Sequence, residues 1–176
     1  EYGISNLHIG EYIEDNGVVT LGEAIKIPGA ISLSLDEKSD EVKIHADNIV
    51  YYSSYNESGE TGDLNVTIFG DEFKEKFLGY QKLDDGGFAK IKGAKKPKAY
   101  LIFQAEGDTF NRRFIMYNVS FGSIKQDHKT VDDKIDADTE KISLSVVGDN
   151  ETKIVKIGYL EKGGFSMKKL WKAFAI

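Results

Sequence analysis

Alternation of apolar and polar positions dominates the chain. Ile31, Leu33 and Leu35 alternate with Ala30, Ser32 and Ser34. Leu64, Val66 and Ile68 alternate with Asn65 and Thr67, and Ile142, Leu144 and Val146 with Lys141, Ser143 and Ser145. In the stretch Ile115, Tyr117, Val119 and Phe121 the intervening positions are Met116, Asn118 and Ser120. A period of two is that of a half-buried strand, because successive side chains leave opposite faces of a pleated backbone. Further strands are expected at 4–13, 41–45, 87–92, 98–106 and 153–160. Asp15-Asn16-Gly17, Asp84-Asp85-Gly86-Gly87 and Gly148-Asp149-Asn150 punctuate them with residues that tolerate positive φ.

Two segments change period. In the stretch 71–79, Phe73, Phe77 and Leu78 form a helical stripe; Asp71 and Glu72 suit the N-terminal dipole, and Gly79 can end the helix left-handed. Met167, Leu170, Trp171 and Phe174 make a second helical stripe, with Lys168, Lys169 and Lys172 opposite. Many short strands, Gly-rich turns and one short helix predict a mainly β fold, an antiparallel β-sandwich or barrel. The expected organisation is one β domain over 1–160, followed after the Gly163-Gly164 pair by a C-terminal arm or helix over 161–176. At 176 residues, 40% hydrophobic, the chain has enough apolar content for one core.

The chain has no Cys, so disulfides and thiolate metal sites are ruled out. No run of about 18 apolar residues is present, and no membrane insertion is expected. The net charge of −6 argues against tight DNA binding, which needs Lys and Arg to neutralise phosphates. His8, His45 and His128 lack the spacing that puts two imidazoles on one metal and read as surface or interface histidines; contact between subunits is the best alternative role for His8 and His45. Asp132, Asp133, Asp136, Asp138 and Glu140 lack the Gly-centred order of a calcium loop and read as a solvated linker. No phosphate-binding Gly loop and no nucleophile elbow occurs, so no cofactor, metal or enzymatic activity is expected. Lys90, Lys92, Lys95, Lys96 and Lys98 form a basic concentration, read as a solvated hairpin or a contact with an acidic loop of a neighbour.

One stretch is more specific. The run Ala46-Asp-Asn-Ile-Val-Tyr-Tyr52, then Thr61-Gly-Asp-Leu64, then Asp71-Glu-Phe73 leading into Leu78-Gly79, resembles the major tail proteins of long-tailed siphophages, the subunits of the tail tube. The resemblance extends to Tyr2-Gly-Ile-Ser-Asn-Leu-His8, Ile27-Pro-Gly-Ala30, Arg112-Arg113 and Asp138-Thr-Glu140, and fades after residue 148. It implies a structural virion protein of the tail, assembled in the host cytoplasm. Its subunits would stack in hexameric rings, with inner sheets joined into one barrel that DNA traverses without specific binding. Implied partners are other copies of the chain, a tape-measure protein, a tail terminator and baseplate or distal tail proteins.

Three sets of residues follow as candidates. The stretch from Asp36 to Thr61 is long for a connection and carries Ile49, Val50, Tyr51, Tyr52 and Tyr55, which read as an inter-subunit loop. Ser32, Ser34, Asn65, Thr67, Asn118, Ser120, Ser143 and Ser145 place small uncharged polar groups on strand faces, a candidate lumen lining. Met167, Leu170, Trp171 and Phe174 form the candidate docking arm. The competing reading is a monomeric β-sandwich that binds carbohydrate or peptide on an aromatic platform at Tyr51, Tyr52 and Tyr55.

Overall fold

The computed structural model describes residues 3–46, 49–107, 112–126 and 139–159, with backbone alone at 39–46, 49–58, 126 and 159. The strands are β1 (Ile4–Asp15), β2 (Val18–Lys26), β3 (Ala30–Ala46), β4 (Ile49–Val66), β5 (Tyr80–Lys82), β6 (Phe88–Lys90), β7 (Ala99–Ala105), β8 (Arg113–Gln126), β9 (Glu140–Val146) and β10 (Lys156–Tyr159). Between β4 and β5 lies the single described helix, α1 (Asp71–Leu78). The mainly antiparallel fold with one short helix is as the alternation predicts. Eight strands form one open sheet in the order β2-β1-β7-β8-β9-β4-β3, with β10 also on β8, and β5 and β6 form a separate ribbon.

The sheet has two cores, one on each face. Leu64, Leu101, Met116, Val119, Phe121, Ile142 and Leu144 pack on one face against Phe69, Phe73, Phe77 and Leu78. Phe73 stacks on Phe69 with centroids 4.6 Å apart and meets Phe121 edge-on at 5.3 Å. On the other face Tyr12, Tyr100, Ile102, Ile115 and Tyr117 pack with Val19, Leu21, Ile154 and Ile157. β7 is therefore buried on both sides, which is why Ala99–Phe103 reads as an unbroken apolar run. The link from β9 to β10 closes the second core: the Tyr12 hydroxyl donates to Asp149 Oδ1 at 2.7 Å, and Asn150 Nδ2 donates to Glu14 Oε2 at 2.6 Å.

Several expectations change on contact with the structure. A register shift between Ala30 and Ser32 turns Ala30 toward the core and leaves Ile31 45% exposed. Ile68 lies beyond the end of β4 and is exposed, while Phe69 takes the buried place. Asn118 does not lie on an open polar face: it is buried, with φ of 54°. It sits where β8 exchanges partners, from β10 at Arg113–Met116 to β9 at Val119–Gln126. The left-handed residue turns the strand over, so Ile115 and Tyr117 belong to one core and Val119 and Phe121 to the other.

The stretch 36–61 is not a loop. β3 and β4 pair from Ala30↔Val66 to Ala46↔Ile49, making one long hairpin that includes Ile49, Val50, Tyr51, Tyr52 and Tyr55 as strand residues. Glu140 is not part of a solvated linker but is buried at the start of β9. The rest of that acidic stretch, His128, and the arm residues Met167, Leu170, Trp171 and Phe174 lie outside the described residues.

Candidate assembly surfaces

Strand register assembles a polar face residue by residue. Across β3, β4, β9 and β8 the partners run Asp36↔Thr61↔Ser145↔Ser120 and Ser32↔Asn65↔Lys141↔Lys125, with Ser34↔Asp63↔Ser143 between them. The intervening rows, Leu33↔Leu64↔Ile142↔Ile124 and Leu35↔Gly62↔Leu144↔Phe121, face the α1 core. Six of the eight candidate lining residues, Ser32, Ser34, Asn65, Ser120, Ser143 and Ser145, therefore share one face. Thr67 lies past the end of β4, where its N–H donates to the Gly29 carbonyl at 2.9 Å, and Asn118 is buried.

Charged residues that alternation alone does not single out complete this face. Lys141 Nζ is 2.8 Å from Asp63 Oδ2, and Asn65 Nδ2 donates to Ser32 Oγ at 2.8 Å. Lys98 Nζ donates to Ser120 Oγ at 2.5 Å, and Lys96 Nζ donates to the Gly122 carbonyl at 2.6 Å. Burial, and then the neighbouring Lys90 charge, lowers the Lys96 pKa from its ordinary value. Small hydroxyls, an amide and a cross-strand ion pair make a wettable surface. The signal for Lys141 and Asp63 was their cross-strand register, which a single strand's period does not carry.

The second surface is the far half of the β3–β4 hairpin. β9 covers β4 only from Glu60 to Val66, whereas β3 and β4 remain paired from Ser39↔Glu57 to Ala46↔Ile49. At ~3.3 Å per residue this arm projects roughly 25–30 Å beyond the sheet. A two-stranded ribbon is marginal in water on its own, so an arm of this length calls for a surface to lie on. Tyr52 is paired with Ile44 and Tyr55 with Glu41 on it.

The third surface is formed by the two ends of the strand order, β2 and β3, each with no further strand beside it among the described residues; β10, which pairs β8 alone, has a free side as well. Unpaired edges present rows of N–H and C=O groups that another chain can continue. The helix residues Phe73, Phe77 and Leu78 are buried in the first core and hold α1 to the sheet. Among the described residues no group of three His, Asp or Glu side chains could hold a metal, and no helix is long and apolar enough to cross a membrane. His8 is tied down locally, its Nδ1 2.8 Å from the Asn6 carbonyl oxygen.

No protein-family model matches this chain, nor does any curated protein. Solved structures do. The fold is similar to that of a chain in the sheath–tube complex of an extracellular contractile injection system in the extended state, with a TM-score of 0.53 and 13% identity over 92% of this chain and 94% of that one. It is equally similar to a chain of the anti-feeding prophage cap that terminates the tube, with a TM-score of 0.53 and 12% identity over 92% and 93% of the two chains. At such identity the likeness is one of fold, and the fold of this chain is that of tube and cap components of phage-tail-like injection particles.

Proposed function

We propose that this chain is a structural subunit that polymerises into the tube of a phage tail or a related injection particle. The observation that carries this reading is the β3–β4 arm, a ribbon that leaves its own sheet and has no described element of its own chain beside it. The tube-type fold supports it, as does the polar sheet face.

In the assembly, the β2 edge of one copy and the β3 edge of the next continue each other's sheet, a heterologous contact that closes into a ring. Closure in a hexamer, as the resemblance to siphophage tail proteins implies, leaves neither the β2 nor the β3 edge open. The face bearing Ser34, Ser143 and Ser145 lines the lumen, and the arm lies against a neighbouring copy. DNA slides past small hydroxyls without being held. The role is mechanical and involves no turnover. The tape-measure, terminator and baseplate or distal tail partners belong to this proposal, as does a place in the tail of the virion.

Replacing residues 40–57 with a two-residue turn tests the arm. Sedimentation velocity across a concentration series is expected to give large species for the full chain and, for the shortened one, a monomer that still unfolds cooperatively in urea. Equal assembly of both would refute the arm's role. A full chain that stays monomeric even with a tail-tip initiator would refute the tube reading.

A further inference from the structure

A cleft of about 420 Å³ opens at the base of the arm, between β4 and the β9–β10 connection, lined by Glu37, Glu60, Asp149, Asn150, Lys153 and Val155 among others. Glu60 is the unusual member. It is 8% exposed, and Lys156 Nζ binds its Oε1 at 2.9 Å, but its Oε2 is buried with no hydrogen-bond partner among the described residues. A buried carboxylate oxygen without a donor is costly, and a donor supplied from outside would relieve that cost. Asp149 is different: its carboxylate already accepts from the Tyr12 hydroxyl and from the Thr152 N–H and hydroxyl. Glu37 stands exposed at the mouth.

The same molecule displays the complementary charge elsewhere. In the segment that follows β6, Lys96 and Lys98 are spent on Gly122 and Ser120, which fixes the segment to β8. That leaves Lys90, Lys92 and Lys95 exposed, with no ion pair within the described residues. A lysine suits the cleft because its thin apolar stem can pass the rim and carry three donors to a recessed oxygen.

We propose that the cleft at Glu60 receives a lysine of a second copy, from its segment Lys90–Lys95. This rests on the self-assembly proposed above and names the charged contact that sets which face of one copy meets which face of the next. A contact between unlike patches is heterologous, so it repeats from copy to copy as a ring or stack requires. Burial of the Glu60 end makes it a determinant of affinity, while Glu37 at the rim guides approach.

The test is zero-length carbodiimide cross-linking of an equal mixture of unlabelled and ¹⁵N-labelled protein under assembling conditions, read by mass spectrometry. Mixed-isotope links from Glu60 or Glu37 to Lys90, Lys92 or Lys95 are the expected result. Two variants accompany it: Glu60→Gln, which keeps an oxygen for Lys156, and the triple Lys90→Glu, Lys92→Glu, Lys95→Glu. Each is expected to raise the concentration needed for assembly at least about tenfold while the far-UV spectrum stays native. Adding Glu37→Lys to the triple variant should recover part of that loss. Tubes that form normally in both variants, without such links, would overturn the cleft's role and leave the tube reading standing. Loss of assembly on adding a chelator, again without links, would overturn it in favour of a metal ion. No assembly of the unmodified chain under any condition would overturn both.

Discussion

Removing the Glu140 carboxylate should unlock α1 from the sheet. Glu140 opens β9 and is 7% exposed; its Oε2 accepts the Phe69 N–H at 2.6 Å and its Oε1 accepts Lys74 Nζ at 2.9 Å. One side chain thereby fixes both the turn leading out of β4 and the first turn of α1, whose N-cap, Gly70, offers no side-chain oxygen. In Glu140→Ala the buried Phe69 N–H loses an acceptor, at ~1–3 kcal/mol. Lys74, with its side chain 15% exposed, loses its counter-charge. Breaking a fully buried pair costs about 3–5 kcal/mol, but partial exposure lets Lys74 turn toward water, so its share is the smaller one, at ~1–2 kcal/mol. The total is about 2–5 kcal/mol. Urea unfolding of the unassembled protein, followed by tryptophan-independent far-UV signal, should show that loss with an unchanged m-value. Lys74→Met should lose less. The double variant should fall short of the sum by about 1 kcal/mol or more, because the pair can be lost only once. A loss under ~1 kcal/mol for Glu140→Ala, or strict additivity in the cycle, would refute the clamp.

Phe73→Ala removes a ring stacked on Phe69 and set edge-on to Phe121, and should cost about 3–5 kcal/mol, lowering Tm on the order of 10 °C in calorimetry. Asn118→Ala should destabilise by ~1 kcal/mol or more and Asn118→Gly by less, the reverse of ordinary strand preference, because φ is 54° and the buried Oδ1 has no partner among the described residues to lose. Equal costs in urea titrations would contradict that. Burial pushes the Asp149 carboxyl up, but hydrogen bonds from Thr152, Tyr12 and the Glu151 N–H outweigh it and hold it below 3.8. A folded-state pKa below the unfolded one adds stability that is present above about pH 4 and lost as pH falls through the folded value. Asp149→Asn should therefore flatten the acid side of the stability curve; an unchanged slope in unfolding midpoints between neutral and acid pH would count against it.

Much of the fold was legible because local period and burial agreed. β9 alternates cleanly, buried Ile142, Leu144 and Val146 against Ser143 and Ser145. Phe73, Phe77 and Leu78 lie in the helical stripe, and Gly79 closes α1 with φ of 70°. The turns at Asn16-Gly17 and Asp84–Gly87 join β1 to β2 and β5 to β6. β2 was not legible: its register on β1 shifts between Gly10 and Tyr12, so its apolar residues lose strict alternation. Of the arm only a strand at 41–45 was expected; Ile49, Val50, Tyr51, Tyr52 and Tyr55 suit a strand but read as a loop, because the long pairing of β3 with β4 that keeps them extended is not carried by one segment's pattern. For the polar face, composition identified the serines, but the Lys141–Asp63 pair and the burial of Asn118 depend on which strands lie side by side and where β8 changes partner. Glu140 was hidden among acidic neighbours, since nothing in a run of carboxylates tells which one turns inward.

Self-assembly with the polar face inward is the central claim, and cryo-electron microscopy of the purified protein at high concentration tests it most directly. The account predicts closed rings or tubes in which Ser34, Ser143, Ser145 and the Lys141–Asp63 pair border the lumen, with the β2 edge of one copy continued by the β3 edge of the next. Monomers at every concentration, or a tube with that face outward and both edges unpaired, would contradict it.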